Sequence, residues 1–167
     1  MSKKTIEEVI GNAFVYVEGE QKLEERVNAL DFIAHLRANE MDIPLSEGEE
    51  GFMWQITYKG QPVCYLEIEV PGTGDTALII ISDVMPASWV NGADLPMDER
   101  IKEAAWGNLR PCTSCGCDSG PGVTMNLLGK QIDKLCTSAL MFDNPGGAAL
   151  ECVKKMVDAR KKDIDGY

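Results

Sequence analysis

A chain of 167 residues with 44% hydrophobic side chains carries enough apolar material for a core, which excludes wholesale disorder. Its 27 acidic against 16 basic residues give a net charge of −11, a balance that repels phosphate backbones and makes nucleic acid an unfavoured partner. No apolar run approaches the roughly 20 residues that span a bilayer, and the N-terminus lacks a signal-peptide core, so a cytoplasmic protein without membrane contact is expected.

Thr5 and Glu8 have the spacing of a capping box ahead of Ile6, Val9, Ile10, Ala13, Phe14 and Val17, which predicts an amphipathic helix over about 6–17. Leu23, Val27, Leu30 and Ala34 repeat at helical spacing and predict a second helix to about Asn39, with this stripe as its apolar face. Pro44, Ser46 and Gly48 end helical character. The period then changes. Phe52, Trp54, Ile56 and Tyr58 alternate with polar residues, Lys59-Gly60 marks a turn, and Val63 to Val70 resumes a strand. Ala77 to Ile81 is a continuous apolar run that suits a central strand covered on both faces. Asp98 to Trp106 reads as a short helix stopped by Gly107 and Pro111.

After a Cys-rich loop at 107–122, Val123–Leu128 and Leu135–Phe142 read as a hairpin around Gly129-Lys130. Asn144 at N-cap and Pro145 at N1 open a final helix to about Asp163, faced by Leu150, Val153 and Val157. The sum is a single α+β domain over 1–167, a mostly antiparallel sheet packed by N- and C-terminal helices.

The chemistry concentrates in Cys112, Cys115, Cys117 and Cys136, spaced Cys-x2-Cys-x-Cys-x18-Cys. Three thiols in six residues of a turn-rich loop cannot all fill a core. In the expected hairpin, Val123 lies opposite Cys136, which returns the fourth thiol to the loop. Four thiolates are a tetrahedral Zn²⁺ set, and the same ligands suit an iron–sulfur cluster. This points to a binding or sensing domain with structural zinc rather than to an enzyme. The alternative is a thiol–disulfide oxidoreductase using the Cys112/Cys115 pair, with Cys117 as a resolving thiol. It lacks the helix N-terminus that usually activates such a pair, and Arg110 is the only fixed positive charge nearby in sequence. Cys64 and Cys152 fall at core positions, and His35, the one histidine, sits at the edge of a helix stripe.

A second site is suggested by the first hairpin. With an even-length turn, Trp54 and Tyr58 share a sheet face with Tyr65 and Glu67, an aromatic and acidic wall suited to a small molecule bearing a positive group. A partner is thus a small molecule or a protein. The order Phe52-Met53-Trp54-Gln55-Ile56-Thr57-Tyr58-Lys59-Gly60 followed by Cys64-Tyr65-Leu66 resembles small bacterial α+β proteins of the YdhG/YjbR-like sort, which implies a Trp-x-Ile-x-Tyr hairpin backed by helices. That resemblance also implies a link to DNA, which the acidity opposes. The stretch from Cys112 to Lys162, with Leu128-Gly129-Lys130 and Phe142-Asp143-Asn144-Pro145, is similar to the tail of uncharacterised bacterial proteins bearing a Cys loop. Neither resemblance implies an enzymatic motif.

Overall fold

Alternation of apolar residues at strand and helix periods builds a helical layer on one face of an antiparallel sheet. The computed structural model describes residues 3–14, 20–45, 52–68, 78–91, 95–112 and 122–166. Within them lie five helices, α1 (Ile6–Ala13), α2 (Glu20–Ala38), α3 (Ala87–Asn91), α4 (Glu99–Gly107) and α5 (Gly147–Asp165), and six strands, β1 (Phe52–Tyr58), β2 (Gln61–Ile68), β3 (Leu78–Ser82), β4 (Leu109–Pro111), β5 (Val123–Leu127) and β6 (Lys130–Asp143). The sheet order is β1-β2-β3-β6-β4, with β5 also paired to β6. Every described pairing is antiparallel, and the fold is α+β.

The capping box forms. Thr5 Oγ1 accepts the Glu8 N–H at 3.2 Å and Glu8 Oε2 accepts the Thr5 N–H at 2.8 Å. The helix is shorter than its apolar series, ending at Ala13 with Phe14 as C-cap; Val17 lies outside the described residues. Helix α2 turns a different face inward from the one expected. Ala29, Phe32, Ile33 and Leu36 are buried, while Leu23 and Val27 are 62% and 57% exposed. Two helical stripes compete on this segment, and the one carrying Phe32 and Ile33, with the larger side chains, is the one buried where α2 packs on α1 and α5.

The first hairpin holds the main surprise. Tyr58 pairs with Gln61 and Thr57 with Pro62, as a two-residue turn requires, but Ile56 then pairs with Cys64 and Trp54 with Leu66. Val63 is an extra residue, and the bulge shows as two consecutive buried positions, Val63 and Cys64. A one-residue slip exchanges the faces of a strand. Trp54, Ile56, Cys64, Leu66 and Ile68 therefore face the helices, and Met53, Gln55, Tyr65 and Glu67 line the other side. Strand β3 is central but half covered: Leu78, Ile80 and Ser82 are buried, Ile79 and Ile81 are not.

The second hairpin turns at Leu128-Gly129, both left-handed (φ 52° and 85°), one residue earlier than expected. Leu127 pairs with Lys130, a register that alone would carry Val123 from Cys136 to Lys134; an irregularity at Lys134 (φ 59°) then moves it back by one, so that Val123 lies opposite Leu135. Asn144 does not cap α5. It adopts φ 42° and its Oδ1 accepts the Leu78 N–H at 2.7 Å, tying the end of β6 to β3, while Gly146 occupies the N-cap. Buried side chains of α1, α2, α4 and α5 join those of the sheet in one hydrophobic cluster that reaches Leu128 and Leu135.

Candidate functional site

The cysteine region is positioned by α4 and the strands that follow it. Asp98 caps α4 by accepting the Arg100 N–H, and Trp106 near its end donates from Nε1 to the Leu127 carbonyl at 3.0 Å. Asn108 then passes the chain into β4, where its carbonyl accepts the Met141 N–H. Pro111 pairs with Leu135 on one side of β6, and Val123 pairs with the same Leu135 on the other. Pro111 has no N–H to give, and the next residue supplies it: the Cys112 N–H donates to the Lys134 carbonyl at 2.7 Å.

Gly122 marks the return of the loop. A Cβ added there would lie 2.7 Å from the Lys134 carbonyl carbon, 2.8 Å from the Leu135 oxygen and 2.9 Å from the Cys112 Cβ, and its φ is +83°. Both ends of the segment 113–121 are therefore held against Lys134–Leu135, one residue before Cys136. Cys112 and Cys136 are both half-buried. Cys115 and Cys117 lie outside the described residues. Among the described residues no three His, Cys, Asp or Glu side chains form a metal-holding group; what is described of this region is Cys112, Cys136 and the two ends of the segment between Cys112 and Gly122. Cysteine thiolates are ligand types that Zn²⁺ and iron–sulfur clusters take, and in the sequence Cys115 and Cys117 fall between Cys112 and Gly122. Arg110 is ion-paired with Asp143 at 2.9 Å, so its charge is partly spent before it can stabilise a thiolate.

The remaining two cysteines are core residues. Burial pushes the Cys64 thiol far up and, with the neighbouring Glu151 charge, pushes Cys152 up to about 12. Neither is a nucleophile at neutral pH.

The four residues of the expected aromatic wall are not on one surface. Trp54 (3% exposed) and Tyr58 are buried among the helices, whereas Tyr65 and Glu67 are half-buried on the opposite side. Pro62 was the available signal, because proline inside a strand is found at edges and bulges. Around Tyr65 the structure adds partners that alternation alone does not reveal. Gln55 Nε2 donates to the Tyr65 hydroxyl at 2.9 Å and to Asp83 Oδ2 at 3.2 Å, and desolvation and the Asp83 carboxylate together raise the Tyr65 pKa.

A third polar region joins the ends of α2 and α5. His35 Nε2 lies 2.8 Å from Asp158 Oδ1. Lys161 Nζ donates to the Asn39 carbonyl at 3.0 Å and sits 5.0 Å from the Tyr58 ring centre. Asn39, Asp158, Lys161, Lys162 and Asp165 line an open cleft of about 650 Å³. Of its two carboxylates, Asp158 contacts His35 and Asp165 is ion-paired with Lys59.

No protein-family model, curated protein or solved structure matches the chain. Among the described residues, no helix is long and apolar enough to cross a membrane.

Proposed function

We propose that Cys112, Cys115, Cys117 and Cys136 bind one Zn²⁺ and that the chain is a cytoplasmic binding or sensing domain whose loop the metal fastens. The observation that carries this reading is the pinch at Lys134–Leu135, where Cys112 and Gly122 meet beside the strand that bears Cys136. With both ends of the loop held together, its two thiols start within a few residues of the other pair. Gly116, Gly120, Pro121 and Gly122 bring little apolar surface to this stretch, and metal binding contributes folding free energy of its own.

Elemental analysis of protein purified without added metal tests it. Zinc near one atom per chain is expected, and a thiol reagent should find the loop cysteines protected until a chelator is added. Of the six cysteines, four should then react, and Cys64 and Cys152 only in denaturant. Iron and a brown colour would replace zinc with a cluster. A reversible Cys112–Cys115 disulfide at mildly oxidising potential, mapped by mass spectrometry, would replace it with thiol–disulfide exchange. Absence of metal, with four reactive thiols and a melting temperature indifferent to chelator, would sink the proposal.

A further inference from the structure

The helices cover one side of the sheet, and the described part of the other side has its own chemistry. Pairing aligns Gln55, Tyr65, Ile81 and Met141 in one row across β1, β2, β3 and β6. The next row is Met53, Glu67, Ile79 and Asp143. Tyr65, Ile79, Ile81 and Met141 are each half-buried, and Met53 is 62% exposed. With strands about 4.8 Å apart, Tyr65, Ile81 and Met141 make an apolar platform roughly 10 Å wide.

Acids rim the platform. Glu67 lies beside Tyr65 and Ile79, Asp83 receives the Gln55 amide above, and Asp143 closes the far side. Arg110 is ion-paired with Asp143 at this edge. Glu67 makes no hydrogen bond or ion pair among the described residues, although it is half-buried. The Tyr65 ring is held at its hydroxyl by Gln55, so this part of the platform is organised before a ligand arrives.

We infer that this face binds a small organic cation with an apolar body, seated on Tyr65, Ile81 and Met141 and neutralised by Glu67. The charge argument selects the sign: an anion would meet the carboxylates of Glu67 and Asp83, while a cation gains both Glu67 and the ring face of Tyr65. The width selects the size, since a platform of three or four side chains holds a molecule of a few rings and falls far short of the roughly 800 Å² per partner of a stable protein interface.

The probe is tetraphenylphosphonium, with tetraphenylborate as a control of the same shape and opposite charge. Binding to the full chain is followed by calorimetry and by methyl NMR of Ile79, Ile81, Met53 and Met141. The phosphonium should shift these methyls saturably and the borate should not. Glu67→Gln should weaken binding roughly two- to fivefold, the size of one partly exposed charge contact. Ile81→Lys, at a position that is not fully buried, should abolish it with an unchanged circular dichroism spectrum. Equal binding of both ions, shifts spread over the acidic surface, or an affinity untouched by Glu67→Gln would each overturn the assignment.

Discussion

Gly122 is where a single hydrogen atom matters most. Its left-handed backbone costs an L-residue about 1–2 kcal/mol, and its missing Cβ leaves room for two backbone atoms of Lys134 and Leu135 that cannot retreat without dragging the Cys112 hydrogen bond with them. Gly122→Ala should therefore lower unfolding free energy by at least that amount and reduce zinc retention in the same protein. Gly107→Ala is the control, because nothing lies within 4 Å of its added carbon and its φ is ordinary. At the last position of α4 it should be neutral or stabilising by up to about 1 kcal/mol. Urea denaturation and metal content on the two variants separate a backbone requirement at 122 from a general intolerance of added bulk.

At the scale of elements, α5 is tied to the first hairpin by its C-terminal end. Lys59 Nζ donates to Asp165 Oδ1 at 2.6 Å, and the Tyr58 hydroxyl donates to Asp165 Oδ2 at 3.4 Å. The Lys59 hydrogen bond holds the Asp165 carboxyl below its usual range despite some desolvation, and the same bond raises Lys59. A carboxylate whose pKa is depressed by folding contributes stability above its unfolded value, near 3.9, and loses it as pH falls through the folded value. Asp165→Asn should thus lower the melting temperature at pH 7 and leave it unchanged near pH 2. Parallel curves over the whole range would show the ion pair to be idle. Which elements exist was legible from periodicity: the Thr5 box, the alternation of 52–58 and the 150–157 stripe all became the structures they predict. Faces and registers were not, because each hangs on one residue. Val63 reverses β2, Lys134 and the Leu128-Gly129 turn move Val123 from Cys136 to Leu135, and two apolar stripes on α2 differ only in what packs against them. The short α3 and β4 gave no signal, since five and three residues are too few to show a period. Asn144-Pro145 has the composition of a helix start, yet Asn144 serves the β3 backbone instead. The thiol cluster was legible as a composition, and its pinch was not, because Gly122 acquires meaning only when Leu135 is known to be shared by two strands.

Across the whole molecule, the core and the cysteine region differ in how they are held. One hydrophobic cluster runs from Ile6 through the sheet to Val157 and takes in Leu127, Leu128, Leu135 and Leu140 of the second hairpin. Near its tip and toward the pinch that hairpin is more open: Met125 and Ile132 are only partly buried, and Val123, Thr124, Asn126, Gln131 and Asp133 are exposed. A segment with few buried contacts opens locally at a free energy well below that of global unfolding. If metal fastens this end, its removal should act there first. Chelation is expected to speed amide exchange at Cys112 and through 123–136, where the ladder ends at the pinch, and to leave Trp54, Leu66, Ile80 and Val153 protected. Hydrogen exchange read by NMR before and after chelation checks this. Uniform loss of protection would mean that the metal supports the whole core, and no change would mean that β4, β5 and β6 hold the loop without it.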